Sequence, residues 1–272
     1  MPAPPYFVDV VSCKENCPVV CNHNVPSSLE GKTWKGGSKI APEDKSWIPR
    51  GSTTRAEPGN LDLMWILINP GTPQETVEQN FYSGKEEGEL ADAAWAFTEQ
   101  VLEGKVGPSP ALSDAIKDAA TVLSCDEPLD VLDRCLITNV VRCSTSPVWS
   151  KSLRGRSDLE KQIVSTCFNK YMRVEVDYWN PKAIIAGSAV SRKALHNMRL
   201  EWPCKNCGVR SNRFWDVPAK HFVCRACRQP ATDWGYVAHT SWYNRSFGEV
   251  EGRKKRDKDI AALADMLNSV LN

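Results

Sequence analysis

Residues 61–68 (LDLMWILI) form a short apolar run that ends abruptly in Asn69-Pro70-Gly71, and this punctuation constrains the fold more than any other stretch. A Leu/Ile-rich segment bounded by turn formers reads as a strand buried on both faces. Pro70 removes an amide donor and fixes φ, so the ladder stops there. Gly71 accepts positive φ and lets another molecule approach the backbone. Further apolar segments at 134–142 (RCLITNVVR), 182–187 (KAIIAG) and 235–239 (GYVAH) alternate with helical stretches near 86–103, 111–123, 158–178 and 189–198. The alternation predicts an α/β fold, a three-layer α/β/α sandwich around a short parallel sheet. Ligands of such sheets bind beyond the carboxyl ends of the strands, which aims the Asn69 carboxamide at the place where chemistry would occur. By turn chemistry alone, the same tripeptide is an ordinary turn.

Composition adds limits. The chain has 272 residues, 42% apolar and 25% charged, ordinary globular values that argue against extensive disorder. No apolar stretch is long enough to span a bilayer, and the start Met1-Pro-Ala-Pro-Pro lacks the pattern of a signal peptide. The expectation is a cytoplasmic, monomeric protein with no membrane partner. The 11 cysteines are clustered, at 13, 17 and 21, at 125 and 135, at 143 and 167, and at 204, 207, 224 and 227. An odd number without a secretion signal points to metal centres rather than disulfides. Cys125 and Cys135 have no CxxC partner and are expected as buried thiols.

Cys204-x2-Cys207 and Cys224-x2-Cys227 have the paired knuckles of a four-thiolate zinc ribbon. All four positions of a tetrahedral ion would be filled, so the site should staple rather than catalyse. Lys205, Arg210, Arg213, Lys220, Arg225 and Arg228 decorate the unit, with Trp215 and Phe222 interleaved. Basic and aromatic residues on a small finger suit a nucleic-acid backbone, or the aromatics serve as the ribbon's core. Three regions follow: an irregular amino-terminal arm (1–60) carrying the first cysteines, an α/β domain built from 61–200 and 231–272, and an inserted ribbon (201–230). From Glu251 the tail reads as an amphipathic helix with Ile260, Leu263, Leu267, Val270 and Leu271 on one side. Its basic run 253–256 (RKKR) is either a phosphate contact or a solvated helix start.

Several of these segments resemble the uracil-DNA glycosylase superfamily. LINPG (67–71) differs at one position from the GINPG motif of mismatch-specific and thymine-DNA glycosylases. The stretch 138–143 (TNVVRC), together with 167–172 (CFNKYM) and 181–187, is similar to the iron–sulfur uracil-DNA glycosylases. Residues 239–245 (HTSWYNR) resemble that family's HPSYLLR, with Thr240 in place of proline. The resemblance implies a [4Fe–4S] cluster held by Cys17, Cys21, Cys143 and Cys167, in addition to Zn2+ in the ribbon. The amino-terminal spacing is C-x3-C-x3-C rather than CxxC, so Cys13 competes with Cys17 and Cys21, and a second zinc is the rival metal.

The resemblance also implies chemistry: hydrolysis of the N-glycosidic bond of a flipped-out uracil or 5-modified pyrimidine in DNA, leaving an abasic site. Asn69 would position the attacking water, and His239 would donate a hydrogen bond to the charge growing on pyrimidine O2. Ile68, Gly71, Phe81 and Asn139 would contact the base, Phe81 by stacking and Asn139 through its amide. Trp242 and Tyr243 are candidates to fill the vacated stack, with Ser241 and Arg245 on adjacent phosphates. Strict uracil enzymes carry a Tyr where this chain has Gly71, so a 5-substituent should fit, as on modified phage DNA in an anti-phage role. A DNA-damage or modified-base binder of the same fold without turnover is the alternative.

Overall fold

All four expected strands form, and they pair into one sheet. β1 (Leu63–Leu67), β2 (Cys135–Asn139), β3 (Ala183–Ala186) and β7 (Trp234–Tyr236) lie in the order β2-β1-β3-β7, a parallel four-stranded sheet. Leu63 sits opposite Ala183 and Ile184 opposite Trp234. Every residue of β2 and β3, and all but the last of β1, is buried. Burial on both faces is why these strands read as continuous apolar runs rather than alternating ones. The intervening β4 (Glu201–Pro203), β5 (Arg210–Asp216) and β6 (His221–Cys224) form a separate three-stranded antiparallel sheet carrying the CxxC pairs.

The computed structural model describes residues 2–13, 51–68, 82, 85–105, 110–142, 164–197 and 199–271. Its helices are α1 (Phe7–Val11), α2 (Glu87–Leu102), α3 (Pro110–Leu123), α4 (Arg173–Trp179), α5 (Ala189–Asn197), α6 (Thr240–Phe247) and α7 (Glu249–Leu271). A π-helical turn, Phe168–Met172, runs into α4. The predicted helix at 158–178 is thus described from 164 onward, and its first residues lie outside the described set. The arm at 1–60 is not wholly irregular. α1 forms within it because Phe7, Val10 and Val11 have a core to enter.

The chain divides into two units. The first comprises Met1–Thr53, Asn69–Pro108 and Asn139–Glu175. Here α1 packs on α2, with Phe7 edge-on to Trp95 at 5.1 Å and the Ala3 amide donating to Asp92 at 2.7 Å. The second comprises Thr54–Ile68, Ser109–Thr138 and Val176–Asn272, and so holds most of the sheet, the ribbon and the carboxyl-terminal helices. At the amino ends of its strands Asp62 binds Arg134 (2.6 Å) and Lys182 (2.8 Å), tying the starts of β1, β2 and β3 together. α5 and α7 both pack on β3. α7 reaches the sheet because Gly235 lacks a side chain: a Cβ there would meet Leu263 Cδ1 at 2.3 Å.

Candidate functional site

The ribbon brings its four thiols together. The Sγ atoms of Cys204, Cys207, Cys224 and Cys227 lie within 4.8 Å of one another, the one such ligand group among the described residues. The Cys204 and Cys227 sulfurs are 3.8 Å apart. A tetrahedron of thiolates at a metal–sulfur distance of about 2.3 Å has an edge of about 3.8 Å, so this spacing suits one ion. The two knuckles repeat one backbone pattern. Cys204 N–H donates to Val209 O and Gly208 N–H to Cys204 O; Cys224 N–H donates to Gln229 O and Arg228 N–H to Cys224 O. Each turn closes on a left-handed residue, Gly208 in the first and Arg228 (φ 62°) in the second. Burial pushes the Cys204 thiol up to about 11. Burial opposes ionisation of Cys224 as well, yet the amides of Cys227 and Ala226 and the neighbouring thiols draw it down to about 6.

The ribbon is docked, not tethered. Arg213, fully buried, donates to the carbonyls of Trp202 and Pro203 on β4 and to Asp233 (3.0 Å) just before β7. Phe222 is buried against Trp215 and Trp234, and Trp215 meets Tyr236 at 5.1 Å. Phe222 is core, as the second of the two sequence readings expected, whereas Trp215 is half-buried between the ribbon and Tyr236. Arg192 of α5 lies between Trp215 and Tyr236, 4.7 Å from each ring centre, and His196 Nδ1 accepts the Trp215 amide.

Beyond β7 the chain reaches His239, which caps α6. Its Nδ1 accepts the Ser241 amide at 3.2 Å and lies 3.0 Å from Ser241 Oγ. Accepting an amide fixes the tautomer, because Nδ1 must carry a lone pair and Nε2 the proton. Burial, reinforced by the charges of Arg256 and Arg245, lowers the imidazole's pKa below its usual value. His239 is thus a neutral ring presenting Nε2–H, with no partner for that atom among the described residues. Thr240 Oγ1 donates to Asp114 (2.7 Å) and Arg256 pairs with Asp118, both on α3. Burial pushes the Asp118 carboxyl up to about 7 against the pull of Arg256.

α6 corrects one expectation. Tyr243 is buried and its hydroxyl donates to Asp259 of α7 at 2.9 Å, so it anchors the helix and cannot enter a vacated base stack. Trp242 remains 44% exposed, packed edge-on against Phe247. Ser241 is engaged by His239, and Arg245 Nε donates back to the Ser241 carbonyl. In the basic run 253–256, Arg253, Lys254 and Lys255 are solvated and pair with Glu249, Glu251 and Asp259, whereas Arg256 is largely buried against Asp118 of α3.

In the first unit, Arg142 is buried in a polar chain. It donates to Ser52 and to Glu175, whose other oxygen accepts the Tyr6 hydroxyl at 2.9 Å. Cys167, also buried, lies near enough for its charge to act on Arg142, and the π-helical turn begins one residue later. Asn139, the last residue of β2, is buried; its Nδ2 donates to Gly51 O, and Oδ1 has no partner among the described residues. Neither Tyr6 nor Ser52 carried a sequence signal. Cys135 is buried and its thiol pushed up by burial, as expected, whereas Cys125 is only half-buried. Ile68 ends β1's run, half-buried. Asn69, Gly71, Phe81, Cys17, Cys21 and Cys143 lie outside the described residues. No protein-family model matches this chain, and no curated protein matches it.

Proposed function

We propose that the chain is a monofunctional DNA glycosylase that hydrolyses the N-glycosidic bond of a flipped-out uracil or 5-modified pyrimidine and leaves an abasic site. The observation that carries the reading is His239, a neutral imidazole held by a helix amino terminus beyond the carboxyl end of a parallel strand, its Nε2–H unengaged among the described residues. In an α/β sheet that edge is where ligands bind. Breaking the bond sends its electron pair onto the base, and the negative charge spreads to pyrimidine O2. A preoriented donor in a dry site is worth most against charge that develops in the transition state. By the resemblance, Asn69, next in sequence after Ile68, would hold the water whose oxygen bonds to C1′, its proton passing to solvent. An amide is too weak a base to deprotonate that water outright, so positioning and leaving-group stabilisation share the work.

The rest of the reading follows from the same resemblance. The α/β core is a three-layer sandwich. Asn139 Oδ1, buried and unpaired among the described residues, suits the N3–H of a uracil or thymine ring. The ribbon holds zinc: four thiols within 4.8 Å of one another, one pair at 3.8 Å, support a single tetrahedral ion. Cys143, Cys167 and two of Cys13, Cys17 and Cys21 would hold a [4Fe–4S] cluster that orders the first unit.

Oligonucleotides carrying uracil, mismatched thymine, 5-hydroxymethyl- or glucosylated pyrimidines test the proposal. Free base should appear from at least one 5-substituted pyrimidine, and Asn69→Ala should abolish release while DNA binding persists. Binding without release from every substrate would leave a recognition module; release of uracil alone would refute the open C5 pocket.

A further inference from the structure

β5 has two faces with different fates. Successive side chains of a strand point to opposite sides. Arg213 and Trp215 face the domain and are consumed in docking the ribbon. Asn212 and Phe214 therefore face away. Two guanidinium groups close over the Phe214 ring on that side, Arg225 at 5.5 Å and Arg228 at 5.4 Å from its centre. Arg225 is steered there by Asn212, whose Oδ1 accepts its Nε at 2.8 Å. Both side chains are exposed, and neither forms an ion pair with a carboxylate among the described residues. This contrasts with the basic run of α7, where each cation is neutralised by its own helix or by α3.

The placement is built by the metal knuckles. Arg225 follows Cys224 directly, as Lys205 follows Cys204, and Arg228 occupies the left-handed position that glycine takes in the first knuckle. A charged residue at φ 62° costs backbone strain that Gly208 avoids. Charge is concentrated as well. Residues 201–230 carry six Lys/Arg against two Asp/Glu, a net +4 in a chain of net +1, so the remainder is at −3.

We propose that this outward face of the ribbon, Arg225 and Arg228 across Phe214, binds the phosphate backbone of a nucleic acid. It is a second contact remote in sequence from α6, and it reads charge rather than sequence. Guanidinium groups are planar forks of N–H donors, and holding two of them over one ring places them together for bidentate phosphate contact. The identification of the nucleic acid as DNA rests on the glycosylase reading; the surface itself does not.

The test uses the full, metal-loaded chain and a 20-mer DNA duplex, with affinity measured across a salt series. Two phosphate contacts account for a slope of about 1.8 in log K against log salt. Arg225→Ala/Arg228→Ala should lower the slope by about that amount and weaken binding roughly 10- to 60-fold near 0.1 M salt. Arg225→Lys/Arg228→Lys should restore most of the slope. Unchanged slope in a double-alanine protein that still carries its ribbon metal overturns the inference. So does equal competition by polyglutamate, which would mark an acidic-protein surface. Should the alanine variant lose its metal, DNA protection of Arg225 and Arg228 from phenylglyoxal in the unaltered protein decides, absence of protection counting against the proposal. A lost slope with no base released from any substrate would refute the glycosylase and leave the ribbon face standing; base release with an unchanged slope would do the reverse.

Discussion

His239 has two jobs that can be separated. Its Nδ1 caps α6 by accepting the Ser241 amide, and under the proposed function its Nε2–H acts on the departing base. His239→Ala should lose both, costing about 1 kcal/mol of stability for the cap and roughly 10²- to 10³-fold in turnover for the donor. Asn is among the best capping residues, so His239→Asn should recover the melting temperature without recovering turnover. Equal turnover in the two proteins and in wild type would make His239 a cap alone. The pH dependence has a definite sign. The folded pKa lies below the unfolded value of about 6.5. The neutral ring thus contributes stability above that value, and the contribution is lost as pH falls toward the folded pKa. Protonation would also set a donor against the Ser241 amide. Turnover should therefore be flat above about pH 6.5 and decline only below it; an acid limb with its midpoint above 6.5 would contradict the assignment.

At the scale of elements, α6 and α7 meet more closely than side chains normally permit. A Cβ at Gly252 would lie 2.8 Å from the Tyr243 carbonyl carbon and oxygen, which are backbone and cannot swing away. Alanine is the better helix former by about 1 kcal/mol, yet overpacking of this kind costs about 1–3 kcal/mol. Gly252→Ala should accordingly lower the melting temperature and, by shifting α6, disturb His239; a raised melting temperature would show that the interface yields. The four sheet strands were legible because burial on both faces writes an apolar run into the sequence. The amphipathic α7 was legible for the same reason at helical spacing. β5 (RSNRFWD) was not, because its inward residue is an arginine whose partner, Asp233, lies 20 positions away. α6 escaped notice as a helix: it is only eight residues long, and its cap is a histidine rather than Ser, Thr, Asp or Asn. The same shortness hid the inward turn of Tyr243. The cysteine knuckles declared the ribbon outright, since metal ligation needs fixed spacings, whereas docking needs complementary shape that spacing does not record.

For the molecule as a whole, the ribbon metal and the sheet are one mechanical system. Asp233 is held by Arg213 from inside the ribbon and leads directly into β7, which leads to His239. Under the proposed zinc assignment, removing the ion would free the knuckles; structural zinc contributes on the order of 10 kcal/mol in small domains. Chelation should release one ion per ribbon, lower the melting temperature and reduce turnover together; verified loss of that ion with both unchanged would uncouple ribbon from sheet. The central claim is that His239 and Asn69 together break an N-glycosidic bond. Its most direct measurement is mass-spectrometric detection of free pyrimidine from a panel of modified duplexes, with wild type, His239→Asn and Asn69→Ala side by side. The account predicts free base and a matching abasic strand from wild type, a large loss in His239→Asn and none detectable from Asn69→Ala. No free base from any pyrimidine in metal-loaded wild type that binds the DNA, or equal release from all three proteins, would contradict it.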